Sequence, residues 1–328
     1  MQAWWCDTFD GVQALHWRDA PTPEPVPGEV RLRIHAASLN FPDLLIVEGK
    51  YQVRPPLPFV PGSEFAGVVD AVGSGVRHLR PGDRAAVISS TGGFGTHACV
   101  DAQRVLPLPA GFALEDAAAF AFTYGTSHHA LIDRAALQPG ETVLVLGAAG
   151  GVGSAAVQIA KAAGARIIAA ASSDAKCAFC RSIGADDTIN YARDDLRAAL
   201  KALTAGQGPD VVYDPVGGDL AEPAFRSIAW RGRYLVVGFA QGGIPSLPLN
   251  LALLKGAALV GVFWGQFVQR EPEASAAALA QLAQWYAQGK VKPVIDKLLP
   301  MRDLPTAYAL MASRQVRGKL VMINDRSP

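Results

Sequence analysis

The run Val143-Leu144-Val145-Leu146-Gly147-Ala148-Ala149-Gly150-Gly151-Val152-Gly153 decides the fold. Its first half is apolar without polar alternation, as expected of a strand buried on both faces. Its second half places glycines at a turn, and the alanine-rich stretch from Gly150 to Ala163 reads as a helix closed by Gly164. A glycine fingerprint is informative in this setting, after a buried strand and opening a helix. Gly150 would let the backbone approach a pyrophosphate, and Gly153 would let the helix pack closely on the strand. Ala149, Gly150, Gly151 and Val152 are the expected phosphate contacts, held by free N–H groups and the helix dipole. Ala148 stands where the common fingerprint has its first glycine, so the loop is a variant. The competing reading is a tight strand-to-helix turn with no ligand.

Outward from this loop the alternation continues. Arg166–Ala171 reads as a second buried strand, and Asp174–Ile183 as a helix ended by Gly184. Asp186–Asn190, Val211–Asp214 and Tyr234–Val237 extend the series. Strands alternating with helices imply an α/β domain with a doubly wound parallel sheet, placed at 123–262. Residues 1–122 are different. Extended segments at Glu29–Ala37, Glu64–Val72 and Asp83–Ser89 are punctuated by Pro27-Gly28, Pro61-Gly62 and Pro81-Gly82, which suits a β-rich irregular barrel. In the tail, Glu271–Gln288 reads as a helix with Leu279, Leu282, Ala283 and Tyr286 on one face. The strand-like Lys319–Ile323 is expected to return to the first domain, which assigns 263–328 to it.

The 328 residues carry 30 Lys plus Arg against 29 Asp plus Glu, a net charge of +1. No long-range field would attract nucleic acid or an anionic membrane. No apolar run reaches the roughly 20 residues of a membrane span, and the amino terminus lacks a signal-like layout. Of the four cysteines, Cys177 and Cys180 have redox-motif spacing but fall inside a helical stretch, so packing is the expected role. A reducing cytoplasm fits.

The second strand end argues which dinucleotide binds. An NAD site usually has Asp or Glu there, accepting from the ribose hydroxyls. Here the strand ends Ala170-Ala171-Ser172-Ser173, with Lys176 one helical turn beyond. Two hydroxyls and an ammonium suit a 2′-phosphate, so NADPH is the expected cofactor. Asp174 would oppose this unless it serves as the N-cap of the following helix, the role assigned to it.

In order along the chain come Ala37-Ser38-Leu39-Asn40-Phe41-Pro42-Asp43, Pro61-Gly62-Ser63-Glu64-Phe65-Ala66-Gly67 and Pro81-Gly82-Asp83-Arg84. Gly95-Thr96-His97-Ala98, Thr123-Tyr124-Gly125-Thr126, the nucleotide loop and Asp214-Pro215-Val216-Gly217-Gly218 follow. Together these resemble the medium-chain dehydrogenase/reductase superfamily, and within it the zinc-free quinone oxidoreductase and zeta-crystallin branch. The resemblance spans nearly the whole chain. It implies a GroES-like catalytic domain built from both chain ends, around a central Rossmann domain. It implies that Lys176 and Tyr191 flank the 2′-phosphate, and that Gly217, Gly238 and Phe239 pass the nicotinamide half. Phe263 and Lys319 are assigned to the cofactor with them.

Zinc members of the superfamily carry a Cys near the start, a Gly-His-Glu segment and a four-Cys lobe. Here Ser63 replaces that His, Asn40 and Pro42 occupy the Cys region, and no four-Cys cluster exists. A catalytic zinc needs three protein ligands, so no metal is expected. His128-His129 are adjacent, diverge, and are expected on a partly exposed helix face.

Without a metal, the acceptor must be one that takes hydride readily, such as a quinone or an activated enone. The resemblance gives Asn40 as a donor to a developing oxyanion, although a turn-forming role explains it equally. Tyr51 matches a pocket tyrosine able to donate a proton, while the second family tyrosine is replaced by Leu45. Thr126 matches the residue beneath the nicotinamide. Trp264 would stack on a flat ring, with Phe263 the more core-like of the two. Lys255–Trp264 reads as an apolar edge strand, so a homodimer through residues 256–264 is expected. The rival readings are an enoyl-thioester reductase and an NADPH-binding structural or RNA-binding protein.

Overall fold

The computed structural model describes residues 1–324. The chain divides into two compact units, Met1–Phe122 together with the residues from Ile295 on, and Thr123–Val294. The strands through the first part are β1 (Gln2–Cys6), β2 (Leu15–Asp19), β3 (Glu29–Leu39), β4 (Glu64–Val72), β5 (Arg84–Ile88), β6 (His97–Asp101) and β7 (Val105–Pro107). The middle holds β8 (Thr142–Leu146), β9 (Arg166–Ala171), β10 (Asp187–Asn190), β11 (Val211–Asp214), β12 (Arg233–Val236) and β13 (Ala258–Gly261). Two more, β14 (Ile295–Pro300) and β15 (Lys319–Ile323), close the chain.

In the first unit a sheet runs β14-β15-β3-β4-β5-β7, with β6 also pairing β3. Alternation along β3 sets its inward face. Val30, Leu32 and Ile34 are buried, and the intervening Arg31 and Arg33 point the other way. The buried set meets Phe65 of β4, Val87 of β5 and Leu320 of β15 in one core. The tail strand therefore belongs to the amino-terminal domain by pairing as well as by packing, with β15 antiparallel to β3. A short helix, Phe41–Val47, follows β3 directly and has Asn40 as its N-cap.

The second unit is a six-stranded sheet in the order β10-β9-β8-β11-β12-β13, every neighbouring pair parallel. Chain order reverses between β8 and β11. In such a sheet ligands lie outside the carboxyl ends of the strands at that reversal.

Three expectations need correction. Residues 263–294 pack within the second unit, not the first. The helix Trp264–Arg270 sets Trp264 so tightly against the helix Ala121–His128 that a Cβ on Gly125 would lie 2.7 Å from its ring. The Tyr124 hydroxyl also donates to the Lys292 carbonyl at 2.7 Å. The edge strand is only Ala258–Gly261, because Lys255 ends one helix and Trp264 begins another. His128 and His129 are both buried rather than half-exposed. His128 hydrogen-bonds Gln281, and the His129 ring stacks on Phe267 with centroids 4.1 Å apart. Burial pushes the pKa of both imidazoles down, opposed by the hydrogen bond to Gln281 at His128 and by the Asp133 carboxylate, 2.8 Å from His129 Nδ1. A run of apolar neighbours hides whether a histidine faces them or water; only the later helices decide it.

Candidate active site

The nucleotide loop is built as its sequence requires. β8 ends at Leu146 and Gly147 turns the chain with φ of 59°. Gly150 caps the helix Gly151–Ala162. A Cβ on Gly153 would lie 2.3 Å from the Gly147 carbonyl oxygen, so only glycine lets this helix approach the turn. Gly150 is different. Its φ is −79°, open to any residue, and a Cβ there would meet nothing closer than Gly147 O at 3.4 Å. The protein's own packing does not demand a bare backbone at Gly150, whereas an incoming pyrophosphate would. Behind the loop, the Ser127 hydroxyl joins the Val152 carbonyl at 3.0 Å and the buried Tyr213 hydroxyl at 2.9 Å, tying the helix start to β11.

At the end of β9, Ser173 rather than Asp174 is the N-cap, its hydroxyl oxygen accepting from Lys176 N at 3.3 Å. The expected cap role of Asp174 is thus corrected. The Asp174 carboxylate instead accepts from Asn190 Nδ2 at 2.9 Å and from Arg193 Nη1 at 3.0 Å. Lys176 Nζ reaches the Ser172 hydroxyl at 3.4 Å. Tyr191 follows β10, whose register pairs Asn190 with Ala171. Ser172, Ser173, Lys176 and Tyr191 thus converge at neighbouring strand ends, with Arg193 beside them. Sequence reasoning missed Arg193. It is 19 residues from Asp174, and only the parallel pairing of β9 with β10 brings the two together.

The Asp214–Gly218 turn is organised by Asp214. One carboxylate oxygen accepts from the Val216 and Gly217 N–H groups, both at 2.8 Å, and the other accepts from Tyr234 at 2.6 Å. Gly217 lies within this turn and Gly238 against it, the Gly238 N–H donating to the Asp214 carbonyl at 3.3 Å, with Phe239 half-buried beyond. Phe263 is 51% exposed while Trp264 is 6% exposed. The expectation for the two aromatics is reversed, because Trp264 fills the space left by Gly125. Thr126 lies on the same helix as Gly125, largely buried.

The first unit gathers a buried polar cluster. Glu64 Oε2 accepts from Ser38 Oγ at 2.7 Å, Asn40 Nδ2 at 3.1 Å and Lys319 Nζ at 3.4 Å, and its Oε1 accepts from the Phe122 N–H at 2.8 Å. Lys319 also donates to Asn40 Oδ1. Asn40 therefore is a helix cap in its backbone, which donates to Asp43 at 2.8 Å, and a cluster member in its side chain. Burial lifts the Asp43 carboxyl to about 6, against the Asn40 N–H and the Lys319 charge. Its Oδ1 has no hydrogen-bond partner of good geometry, and neither has the buried Ser63 hydroxyl. Burial, with Asp43 adding to it, also pushes the Tyr51 phenol above its ordinary value, so Tyr51 stays protonated at neutral pH. Lys319 is enclosed, its side chain 5% exposed, and burial lowers its pKa while Glu64 and Asp43 hold it up.

The donors at the zinc-equivalent positions do not fit a metal. Ser63 and Asn40 are neutral oxygens or amides, and Glu64 is already saturated by four donors. Among the described residues no group of three or more His, Cys, Asp and Glu is placed to hold one. Cys177 and Cys180 are buried thiols, the latter pushed up to about 12 by desolvation.

Comparison with known proteins agrees with this architecture. Residues 26–110 match the alcohol dehydrogenase GroES-like domain and residues 151–283 the zinc-binding dehydrogenase domain. The bovine quinone oxidoreductase-like protein 2 is 39% identical over 92% of this chain and 87% of its own length. The crystal structure of Escherichia coli quinone oxidoreductase complexed with NADPH superposes with a TM-score of 0.90 at 30% identity, covering 98% and 100% of the two chains. A solved NAD-dependent alcohol dehydrogenase gives 0.89 at 31% identity, covering 98% and 99%. The fold and site define a two-part nicotinamide oxidoreductase. The chain belongs to the zinc-free, quinone oxidoreductase-like branch of the medium-chain dehydrogenase/reductase family. No helix among the described residues is long and apolar enough to cross a membrane.

Proposed function

We propose that the protein is an NADPH-dependent reductase of quinones or related activated carbonyl and enone acceptors, working without zinc. The observation that carries this reading is the end of β9. The two carboxylates beside it, Asp174 and Asp194, are both bound already, Asp174 to Arg193 and Asn190 and Asp194 to Arg193 and the Asn190 N–H. Neither therefore stands free to receive ribose hydroxyls, and Arg193 offsets their charge toward a 2′-phosphate. Ser172, Ser173, Lys176 and Tyr191 would hold the 2′-phosphate, with Arg193 adding positive charge, and Ala149, Gly150, Gly151 and Val152 would hold the pyrophosphate. Gly217, Gly238, Phe239, Phe263 and Thr126 would receive the nicotinamide half.

Bound there, the coenzyme supplies hydride. Asn40 offers its remaining amide hydrogen to the acceptor oxygen as negative charge develops, and the Tyr51 phenol delivers the proton. Such donors suffice for quinones and enones, whose charge delocalises, and leave simple alcohols as poor substrates.

The subunits pair through β13, one of the two edge strands of the parallel sheet. Leu249, Leu253 and Leu254 on the preceding segment are 67–79% exposed, an apolar surface suited to burial in a homodimer.

Absorbance of the reduced nicotinamide tests the chemistry, with NADPH and NADH each offered quinones, enones, aldehydes and a crotonyl thioester in the presence of a chelator. Chelator-resistant oxidation of NADPH by quinones or enones is expected. Equal use of NADH would overturn the coenzyme assignment. Turnover confined to the thioester, or abolished by the chelator, would overturn the acceptor assignment.

A further inference from the structure

Lys319 opens β15, and the antiparallel register that sets Leu320 opposite Leu39 places it one step further, opposite Asn40. Its ammonium lies inside the first unit, with Asn40 Oδ1 and Glu64 Oε2 as its partners. Asn40, Ser63 and Glu64 are the residues standing at the positions that resemble the zinc ligand region, so a fixed monovalent cation occupies the neighbourhood where zinc relatives keep a divalent one.

This arrangement leaves the Asn40 carboxamide a single orientation. An ammonium can only donate, and the Glu64 carboxylate only accepts. The amide oxygen must therefore face Lys319, and one Nδ2 hydrogen must face Glu64. Rotating the amide by half a turn would set its NH2 against the ammonium and its oxygen against the carboxylate. Glu64 cannot relax to accommodate this, because Ser38 and the Phe122 N–H hold it as well. The second Nδ2 hydrogen is left uncommitted within the cluster.

We infer that Lys319 is the positioning residue of the reductase: it orients Asn40 so that the free amide hydrogen is always presented to the acceptor oxygen. This rests on the proposed reductase function, and it departs from assigning Lys319 to the coenzyme. The metal of zinc relatives polarises a carbonyl directly. Here the cation acts at one remove, through the amide it orients, and the amide supplies the contact.

The test is a double-mutant cycle on Lys319 and Asn40 in the full chain, reading kcat, acceptor KM and the NADPH Kd from quenching or enhancement of coenzyme fluorescence. Asn40→Ala removes the donor and is expected to lower kcat by about a hundredfold, the usual size for one oxyanion donor. Lys319→Met is expected to lower kcat by a similar factor with the NADPH Kd and acceptor KM changed by less than about threefold. The double variant should be no slower than Asn40→Ala alone, because Lys319 acts only through Asn40. Lys319→Arg, which keeps a donor cation, should recover part of the loss. Removing Lys319 leaves Glu64 unpaired, so Lys319→Met/Glu64→Gln serves as the charge-neutral version if the single variant does not fold, with the same expected kcat loss. Additive losses would refute the inference. So would a Lys319 variant that weakens NADPH while sparing kcat, which would return Lys319 to the coenzyme. If the unsubstituted protein reduces no acceptor, the functional reading fails first; if it turns over and the cycle is additive, only the Lys319 assignment fails.

Discussion

Alanine at Gly153 would build a Cβ 2.3 Å from the Gly147 oxygen and 2.8 Å from Ala148 Cα, both backbone atoms. The helix would have to lift from the turn. Overpacking of this kind costs about 1–3 kcal/mol, and the helix propensity gained on replacing glycine by alanine returns about 1 kcal/mol. Because both close atoms are backbone, the cost stands at the upper end of that range, so the net destabilisation is about 2 kcal/mol, a Tm decrease of about 4–8 °C for a unit of this size. Alanine at Gly150 meets nothing closer than 3.4 Å, and its φ of −79° is unstrained. Its stability cost is limited to a weaker helix cap, about 0.5–1 kcal/mol. If that bare backbone serves a pyrophosphate, however, the methyl group stands in the ligand's way and the NADPH Kd should rise by at least about tenfold, or 1.4 kcal/mol. Thermal unfolding without coenzyme and fluorescence titration with NADPH read the two quantities separately. Gly153→Ala should act chiefly on Tm, and Gly150→Ala chiefly on Kd. An unchanged Kd in Gly150→Ala would refute the reading of this loop as a phosphate cradle, and an unchanged Tm in Gly153→Ala would refute the close-approach argument.

Lys176→Ala should weaken NADPH by about tenfold and leave NADH nearly untouched, since one charge-assisted contact to the 2′-phosphate is lost; equal losses for both coenzymes would place Lys176 elsewhere. Arg193→Ala should lower the NADPH preference too, because it unpairs Asp174 beside the phosphate, and Asp174→Ala in the same background should restore it. A buried Asp43 carboxyl raised from 3.8 to about 6 binds its proton more tightly folded than unfolded. The stability it gives is therefore complete below pH 3.8 and lost as pH rises through 6, about 3 kcal/mol at most. Denaturant unfolding across that range should show the decline in the natural protein and a flatter profile in Asp43→Asn, and parallel profiles would contradict the assignment. Leu253→Lys with Leu259→Lys should shift a dimer to monomers in sedimentation equilibrium, an outcome that an unaltered mass would exclude.

The parallel sheet was legible because β8 and β9 are short apolar runs, each followed by a helix closed by a glycine, Gly164 and Gly184. β9 and β11 have the bounds expected of them, and the others shift by one or two residues where capping decides the end. Period alone misread Lys255–Trp264, since an apolar stretch gives no sign of where it stops being strand; Gly256 in a left-handed conformation and the packing of Trp264 on Gly125 set those limits. The loop residues of the coenzyme site could be named in advance because they are contiguous. The rest of the site is assembled by pairing between distant segments, which spacing does not encode. Arg193 reaches Asp174 only through the β9–β10 register, and Lys319 reaches Asn40, 279 residues away, only because β15 returns to β3. The same fact explains why the lysine is more than a surface charge. A lysine at the head of a tail strand reads in sequence as a solvated end, yet here the strand carries it between a carboxylate already fixed by Ser38 and the Phe122 N–H and an amide whose orientation the cation settles. A buried cation is costly to keep unless its partners compensate for lost hydration, and this one, 5% exposed, is met by the Asn40 amide oxygen and the Glu64 carboxylate, which is what a role in orienting the asparagine requires.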